Sequence, residues 1–378
     1  MYSDGEAGAG SPVLLNPGPA GTSERVKNAL LRGDLCHREP EFSELLNRLR
    51  AALPRALEFP ETYESVLITG SGTAAMEMAV TGSVRAGREI LVLSNGVYGE
   101  RLLAIARAHG ITAHEVAPDG DQLERWTTPI DPTWVESALA AYPEVDAVVC
   151  VHHETTTGLI NPVRAIGEIV ARHRALFVVD AISSTGNEEL DLADVGIDIL
   201  CGTANKGLHG LPGISFLLCG PAGVARIAEA PMRGLYNNAA IHLAGQRRCE
   251  VPFTPAVQIC YALDEALAEY TERGGRRARV ALYRERAAVV RAGFDRLGLK
   301  ILVDPPHRAN SVSTLRLPER VTYPRLHDEL AKRGYIIYAG QGGLAAGHFR
   351  ICTFGEIPFE RLEALEFALG AALLAARD

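Results

Sequence analysis

The sequence has no excess of basic residues and no long apolar run. Its 38 lysines and arginines are outnumbered by 46 aspartates and glutamates, which gives a formal net charge of -8. A nucleic-acid binder needs a concentrated basic surface, so this balance favours a small-molecule partner. No apolar run approaches the roughly 18 residues of a membrane span, and we expect no membrane partner.

The start of the chain also lacks the basic and apolar regions of a signal peptide. We expect residues 1–12 to form a flexible tail and the protein to be cytoplasmic. The seven cysteines include no C-x-x-C pair, and several lie in apolar runs such as residues 147–151. They are predicted to be reduced thiols in the core of a cytoplasmic protein.

Short apolar runs alternate with helical periodicity between about residues 65 and 220. The runs begin at residues 65, 89, 147, 176, 197 and 214, and they are continuous rather than alternating. Such runs are typical of strands covered on both faces, so we predict an α/β fold with a mostly parallel sheet. After Pro255 a long helical run, broken near Gly274, leads into shorter strands and helices. We therefore expect a large α/β domain over residues 13–257 and a smaller α+β domain over residues 258–378.

A glycine-rich turn at residues 70–73 (GSGT) follows the first of these runs. Free backbone amides at the start of a helix, with the hydroxyls of Ser71 and Thr73, predict a phosphate site, although a plain helix cap would also explain the turn. The turn also fits a relaxed dinucleotide motif, but no acidic residue ends the next strand, and no P-loop is present. A nicotinamide-dependent oxidoreductase is therefore the weaker alternative.

Lys206 ends an apolar strand in a glycine-rich turn, and Asp180 closes the preceding strand. A lysine amine can form a Schiff base with the aldehyde of pyridoxal phosphate, while a carboxylate keeps the pyridine nitrogen protonated. Each residue alone would be a solvated lysine or a helix cap. The pair predicts a pyridoxal phosphate enzyme.

Two further strand ends carry candidate ligand contacts. Tyr98 follows the second strand between glycines that let the backbone approach a flat ligand, on which the ring could stack. An ordinary turn tyrosine is the alternative. Residues 152–158 (HHETTTG) place several hydroxyls at the same edge, where they could bond a phenolic oxygen. Their two histidines suggest a metal, but adjacent side chains diverge on a strand, so we expect none.

These strand ends offer phosphate donors, an aromatic ring, hydroxyls, a carboxylate and a lysine in the order that one pyridoxal phosphate requires. The chain resembles the class V aminotransferases of fold type I, which implies a large, mostly parallel α/β domain and a smaller C-terminal α+β domain. The resemblance covers nearly all of the chain beyond the tail. Its motifs lie at residues 16–19 (NPGP), 37–42 (HREPEF), 70–73, 94–98 (SNGVY), 153–158, 179–181 (VDA), 203–206 (TANK), 253–255 (FTP) and 349–355 (FRICTFG).

The resemblance implies a role for each matching residue. Lys206 would bond to the cofactor and move the proton during transamination, and Asp180 would pair with the pyridinium nitrogen. Thr254 would contact the cofactor phosphate of the neighbouring subunit, which implies a homodimer with shared active sites. The other implied cofactor contacts are Tyr98 on the ring, Thr155 at the phenolic oxygen, and Ser71, Gly72, Thr73 and Asn205 at the phosphate.

The implied reaction transfers the amino group of 2-aminoethylphosphonate to pyruvate, giving phosphonoacetaldehyde and alanine in two half-reactions. Arg350 would bind the substrate acid, because a guanidinium donates two parallel hydrogen bonds to a carboxylate or phosphonate. Asn16, Gly18 and Arg38 belong to segments that line the substrate mouth in relatives. Gly207 departs from the pattern, since a cysteine often stands there.

Two alternatives remain within the family. An alanine:glyoxylate or serine:glyoxylate type transaminase would share the cofactor and differ in the amino donor. Cys352 raises the possibility of a desulfurase-like lyase, but its apolar neighbours favour a buried thiol. A non-catalytic scaffold is a further alternative, which the intact Lys206 and Asp180 argue against.

Overall fold

The computed structural model describes residues 12–190 and 195–377. The predicted tail at residues 1–12 lies almost entirely outside these ranges. The strands are, in chain order, β1 (Val13–Leu14), β2 (Glu64–Thr69), β3 (Glu89–Leu93), β4 (Ala113–Val116), β5 (Val145–Val151), β6 (His153–Glu154), β7 (Leu159–Ile160), β8 (Leu176–Asp180), β9 (Ile199–Thr203), β10 (Ile214–Cys219), β11 (Val312–Arg316), β12 (Tyr335–Ile336), β13 (Tyr338–Ala339) and β14 (His348–Cys352).

The α-helices surround these strands, and short 3-10 turns lie at Ala29–Leu31, Pro305–His307 and Gly342–Leu344. The helices are α1 (Glu24–Asn28), α2 (Pro40–Ala56), α3 (Gly72–Gly82), α4 (Val97–Ala108), α5 (Gln122–Thr127), α6 (Pro132–Ala141), α7 (Val163–Val170), α8 (Pro221–Glu229), α9 (Ala239–Arg247), α10 (Val257–Glu272), α11 (Gly275–Arg296), α12 (Tyr323–Lys332), α13 (Phe359–Glu363) and α14 (Leu365–Ala375).

A seven-stranded sheet in the order β2-β10-β9-β8-β5-β3-β4 forms the centre of the large α/β unit. All neighbours are parallel except β10, which is antiparallel to both β2 and β9. The predicted α/β class with a mostly parallel sheet is confirmed. The antiparallel strand was not predicted, because β10 is buried along its whole length and its apolar run resembles those of the parallel strands.

Helices cover both faces of this sheet, which explains the continuous apolar runs. Along β5, Val148 and Cys150 belong to a core that includes residues of α2, α6, α7 and α10. Val149 and Val151 belong to the opposite core, with residues of α3, α4 and α9. Because successive side chains of a strand alternate between faces, each strand must be apolar at every position. The loops at the carboxyl ends of the parallel strands are then the place where polar chemistry collects.

The C-terminal part is built on an antiparallel sheet in the order β11-β14-β13, packed with α11, α12, α13 and α14. Strand β1 pairs in parallel with β12, and Val13 and Leu15 lie in the same core as these helices. Helix α10 packs on the seven-stranded sheet instead. The proposed division at residue 257 stays a prediction, and β1 packs with the C-terminal part.

Within the described ranges, no helix is both long and apolar enough to cross a membrane. The cysteines are free, and five are buried as predicted, namely Cys150, Cys201, Cys219, Cys260 and Cys352. The core prediction is wrong for Cys36, which is exposed, and for Cys249, which is half-buried. Both lie in loops next to α2 and α9, and the side-chain amide of Asn47 donates to the Cys249 sulfur at 3.1 Å.

Candidate active site

Lys206 lies in the turn after β9, where the sequence predicted it. Its side chain is 7% exposed, and its Nζ donates to the Ser183 Oγ at 2.7 Å. Burial lowers the pKa of Lys206 to about 8, although the nearby Asp180 carboxylate acts in the opposite direction. A lysine with a lowered pKa has a larger neutral fraction near pH 7, and the neutral amine is the nucleophile.

Asp180 ends β8, the strand beside β9, and is 3% exposed. Burial raises its pKa to about 6, while the Ile182 N–H and the charge of Lys206 act in the opposite direction. The Ile182 N–H donates to Asp180 Oδ1 at 3.0 Å. Two adjacent parallel strands therefore bring a buried carboxyl and a buried amine to the same sheet edge.

The glycine-rich turn at residues 70–73 opens α3 beside Lys206. Ser71 has the N-cap position, yet its hydroxyl makes no capping hydrogen bond, so it is available to a ligand. A Cβ at Gly72 would lie 2.8 Å from the Ile182 Cδ1, so a larger residue there would require the Ile182 side chain to shift. The cavity in front of the helix has a volume of about 510 Å³, within the range of small-molecule sites. Its lining includes Ser71, Gly72, Thr73, Tyr98, Arg101, Thr203, Asn205 and Lys206.

Tyr98 lies in the first turn of α4, and its ring centroid is 5.6 Å from the Lys206 Nζ. Glycine is needed on either side of Tyr98 for a different reason from the predicted one. A Cβ at Gly96 would lie 2.3 Å from the carboxyl carbon of Glu154, and a Cβ at Gly99 would lie 2.7 Å from the Ser94 Cα. These glycines allow close packing of protein on protein, and the ring of Tyr98 alone faces the cavity.

Thr155 is buried next to the lysine's hydrogen-bond partner. Its hydroxyl is hydrogen-bonded to the Ser183 hydroxyl. Its carbonyl oxygen accepts a hydrogen bond from Arg350 Nη1 at 3.2 Å. Thr155 therefore lies between the amine of Lys206 and the guanidinium of the C-terminal part.

Arg350 lies on β14, as predicted, and is only 4% exposed. Its Nε donates to the Ala339 carbonyl at 3.0 Å, and its Nη1 donates to the Gln341 Oε1 at 3.1 Å. Within the described ranges no carboxylate forms an ion pair with it. A buried charge that has only neutral partners favours the binding of an anion.

The segment before α1 also reaches the lysine. A Cβ at Gly18, whose φ is +139°, would lie 3.4 Å from the Lys206 Cε and 3.5 Å from the Asn205 Nδ2. Asn16 is buried, its Nδ2 donates to the Pro19 carbonyl at 3.2 Å, and its Oδ1 has no partner in the structure. Asn16 and Gly18, two of the three predicted substrate-mouth residues, thus lie on a segment that passes beside Lys206 and Asn205, which line the cavity.

A single chain does not bring Arg38 and Thr254 to this cavity. Arg38 is exposed, and its Nη1 donates to the Val251 carbonyl at 3.1 Å. Thr254 is exposed and borders a separate crevice with Tyr236 and Phe253. Their roles as substrate and cofactor contacts stay predictions.

His152, His153 and Cys352 are all buried side chains. Burial lowers the pKa of His152 to about 4 and that of His153 to about 3, so both rings are neutral near pH 7. Across residues 12–190 and 195–377, no group of three or more histidine, cysteine or acidic side chains could hold a metal ion. Burial raises the pKa of Cys352 to about 12, which keeps the thiol protonated.

Gly207, the departure noted in the sequence, has a steric explanation. A Cβ there would lie 2.2 Å from the Asn187 Oδ1 and 2.3 Å from the Thr185 carbonyl oxygen. Asn187 Nδ2 donates to the Ser183 carbonyl at 3.1 Å. Asn187 therefore fills the space that a side chain at position 207 would need.

Sequence reasoning missed three residues of the site: Ser183, Arg101 and Gln341. Ser183 bonds Lys206, Arg101 lines the cavity, and Gln341 bonds Arg350. Arg101 could have been identified from its spacing, since it lies one helical turn after Tyr98. The other two depend on contacts between distant segments, which no local pattern records.

The sequence profile of the class V aminotransferases matches residues 22–347. The chain belongs to this family. A 2-aminoethylphosphonate–pyruvate transaminase of Burkholderia lata is 32% identical over 338 residues, which are 88% of this chain and 87% of that protein. One from Syntrophobacter fumaroxidans is 33% identical over 91% of this chain and 92% of that protein. One from Vibrio vulnificus is 31% identical over 96% and 97%.

Solved structures confirm the fold. An aspartate aminotransferase of subgroup IV from Thermus thermophilus is 26% identical, with a TM-score of 0.86 over 96% of this chain and 99% of that one. A pyridoxamine–pyruvate aminotransferase from Mesorhizobium loti is 26% identical, with a TM-score of 0.87 over 99% and 95%. An alanine–glyoxylate aminotransferase from Nostoc sp., at 23% identity and a TM-score of 0.89 over 99% and 97%, shows the same fold. The chain is thus an aminotransferase with the predicted fold type I architecture.

Proposed function

We propose that this aminotransferase uses pyridoxal phosphate to transfer the amino group of 2-aminoethylphosphonate to pyruvate, giving phosphonoacetaldehyde and L-alanine. The observation that carries the proposal is the similarity to transaminases of that name at 31–33% identity over most of both chains. The buried guanidinium of Arg350 supports it, because both substrates carry an acidic group. The solved alanine–glyoxylate aminotransferase from Nostoc sp. shares the fold at 23% identity, which gives no reason to prefer its substrates.

The residues around the cavity fit pyridoxal phosphate. The group needs an amine for its aldehyde, an acid for its ring nitrogen, an aromatic contact and donors for its phosphate, and Lys206, Asp180, Tyr98 and the start of α3 offer these. When bound, it supplies an aldehyde that condenses with amines and a ring that withdraws electrons from the substrate carbon. The cavity's lysine also weighs against a nicotinamide-dependent enzyme.

The protein's own groups have distinct tasks in this proposal. With a pKa of about 8, about one Lys206 in ten is neutral at pH 7, so its amine would hold the cofactor through the aldehyde, and its Nζ would move the proton at the substrate carbon. Ser183 holds the Nζ through its hydroxyl. Asp180, with a pKa of about 6, is mostly ionised at pH 7 and can pair with a protonated ring nitrogen. Arg350 orients the acidic group of each substrate.

A donor screen tests the substrate. The purified enzyme with pyridoxal phosphate is mixed with 2-aminoethylphosphonate, alanine, serine or aspartate, and the cofactor's absorbance is followed. We expect 2-aminoethylphosphonate to discharge the cofactor with release of phosphonoacetaldehyde, and pyruvate to restore the original spectrum. Discharge by serine or alanine with glyoxylate as the preferred acceptor, and none by the phosphonate, would contradict the proposed donor.

We also propose a homodimer in which Thr254 serves the partner's site. Exposed apolar side chains in the loop that leads to Tyr236, which borders the same crevice as Thr254, support an interface, since Met232 and Leu235 are 72% and 64% exposed. Coexpression of Lys206→Ala and Thr254→Asp chains, each inactive alone, gives mixed dimers. If Thr254 acts across the interface, one of their two sites has neither substitution and activity returns. If activity does not return in purified mixed dimers, the cross-subunit role is wrong.

The cytoplasmic location is proposed on the free cysteines alone. Fractionation of the producing cells tests it, with the activity expected in the cytoplasmic fraction.

A further inference from the structure

Arg101 reaches the cavity from α4, one turn after Tyr98. Its guanidinium carbon lies 4.6 Å from the centroid of the Tyr98 ring. Its Nη1 donates to the Thr73 Oγ1 at 3.2 Å, and Thr73 belongs to the first turn of α3. The side chain therefore extends from one helix to the start of another and lines the cavity between them.

The charges around the cavity make Arg101 the available source of a full positive charge for a phosphate. Among the described residues that line the cavity, Arg101 and Lys206 are the only basic ones. The hydroxyls and amides at the start of α3 are neutral, and a helix N-terminus contributes only about half a charge. A phosphate monoester carries about 1.5 to 2 negative charges at neutral pH. The amine of Lys206 is required by the aldehyde, so a full charge for the phosphate must come from elsewhere.

Arg101 is also free to provide it. Among the described residues no carboxylate lies within ion-pair distance of its guanidinium, whereas Arg125, in the next helix, pairs with Glu115 at 2.7 Å. The hydrogen bond to Thr73 occupies one of five donors. Contact with the face of Tyr98 limits the positions of the guanidinium, and this reduces the entropy lost when it binds an anion.

We propose that Arg101 is a cofactor-binding residue that donates to the phosphate of pyridoxal phosphate at the start of α3. The inference rests on the proposed function, because it assumes that pyridoxal phosphate occupies this cavity. It adds a charged side chain to the neutral phosphate donors Ser71, Gly72, Thr73 and Asn205. Arg101 acts through affinity for the phosphate and takes no part in proton transfer.

The test compares two ligands that differ only in the phosphate. Cofactor-free wild type, Arg101→Gln and Arg101→Lys are titrated with pyridoxal phosphate and with pyridoxal, and binding is followed by absorbance. The matched control is Arg107→Gln, which removes an exposed arginine from the same helix. For Arg101→Gln we expect the Kd for pyridoxal phosphate to rise about 10- to 100-fold, as for a lost charge-assisted hydrogen bond. The Kd for pyridoxal should change by less than about twofold, since no phosphate contact is lost.

The lysine variant separates charge from geometry. Arg101→Lys keeps the positive charge without the planar fork, so we expect a smaller, phosphate-specific loss of about 3- to 10-fold. Rising salt should weaken pyridoxal phosphate binding more in the wild type than in Arg101→Gln, because salt screens the charge of Arg101, which the variant lacks. The Arg107→Gln control should match the wild type for both ligands.

Each contrary result has a distinct meaning. If the wild type binds no pyridoxal phosphate, the proposed function itself fails. If the wild type binds it and Arg101→Gln binds equally well, only the role of Arg101 is refuted. An equal loss for both ligands would show that Arg101 merely supports the Tyr98 ring, which overturns the phosphate contact. Should Arg101→Gln fail to fold by circular dichroism, the ratio of the two Kd values in Arg101→Lys decides in the same way.

Discussion

Replacing Lys206 by methionine should stabilise the cofactor-free protein. Burial lowers the pKa of this lysine from 10.5 to about 8. Since one pKa unit corresponds to about 1.4 kcal/mol, keeping the amine charged in the fold at pH 7 costs about 3 kcal/mol. Loss of its hydrogen bond to Ser183 removes about 1–2 kcal/mol of stabilisation. The free energy of unfolding of Lys206→Met should therefore exceed that of the wild type by about 1–2 kcal/mol at pH 7.

The stability advantage of Lys206→Met should depend on pH. Between pH 8 and 10.5 the folded wild type has lost the proton from Lys206 while the unfolded chain still binds it. The unfolded state then binds more protons, so the free energy of unfolding of the wild type rises with pH. The variant has no such group. Its advantage should shrink as pH rises through this window.

The assay is urea unfolding of the cofactor-free proteins by circular dichroism at pH 7 and pH 10, at one protein concentration. Lys300→Met is the matched control, because Lys300 is exposed and its removal should have little effect at either pH. If Lys206→Met is less stable than the wild type at pH 7, or if its advantage is the same at both pH values, the argument from burial is refuted.

Three further predictions concern the site. Asp180→Asn should keep the fold, as measured by circular dichroism, but lower kcat at least about 100-fold, because a neutral amide cannot stabilise a protonated nitrogen in the cofactor ring. A kcat within about threefold of the wild type would contradict this prediction. In steady-state kinetics, Arg350→Gln should lower kcat/KM for pyruvate at least about 30-fold, because the loss of a charged contact costs about 2 kcal/mol. An unchanged kcat/KM would show that Arg350 does not bind the substrate. Gly207→Ala should lower the free energy of unfolding in urea by about 1–3 kcal/mol, because its Cβ would overlap Asn187 and the Thr185 carbonyl. Adding Asn187→Ala should restore only part of this free energy, since the overlap with the Thr185 carbonyl remains. Full stability of the Gly207→Ala variant would refute the packing argument.

The elements that carry Lys206 and Asp180 could be predicted because each ends a continuous apolar run. A short run of this kind is typical of a strand buried on both faces, and the carboxyl ends of neighbouring parallel strands lie at a common edge. The same reasoning could not find the direction of β10, because a buried antiparallel strand has the same composition. It also missed β4, an edge strand with two polar residues in four.

The site was only partly visible for a related reason. Tyr98, Thr155 and Arg350 belong to local motifs, so their positions followed from the sequence. Ser183 lies 23 residues from Lys206, and their hydrogen bond exists only because β8 and β9 are neighbours. Contacts of this kind depend on the completed packing. Arg38 and Thr254 lie outside the cavity of the single chain, and their roles as substrate and cofactor contacts stay predictions.

The central claim is that the amine of Lys206 bonds to pyridoxal phosphate. The chain has only four lysines, Lys27, Lys206, Lys300 and Lys332, and of these Lys206 alone is buried. The most direct test is reduction of the cofactor-loaded protein with borohydride, followed by digestion and mass spectrometry of the four lysine peptides. We predict a phosphopyridoxyl group on the Lys206 peptide alone, and none on any peptide of Lys206→Ala. Stoichiometric labelling of another lysine, or none at all, would contradict the account.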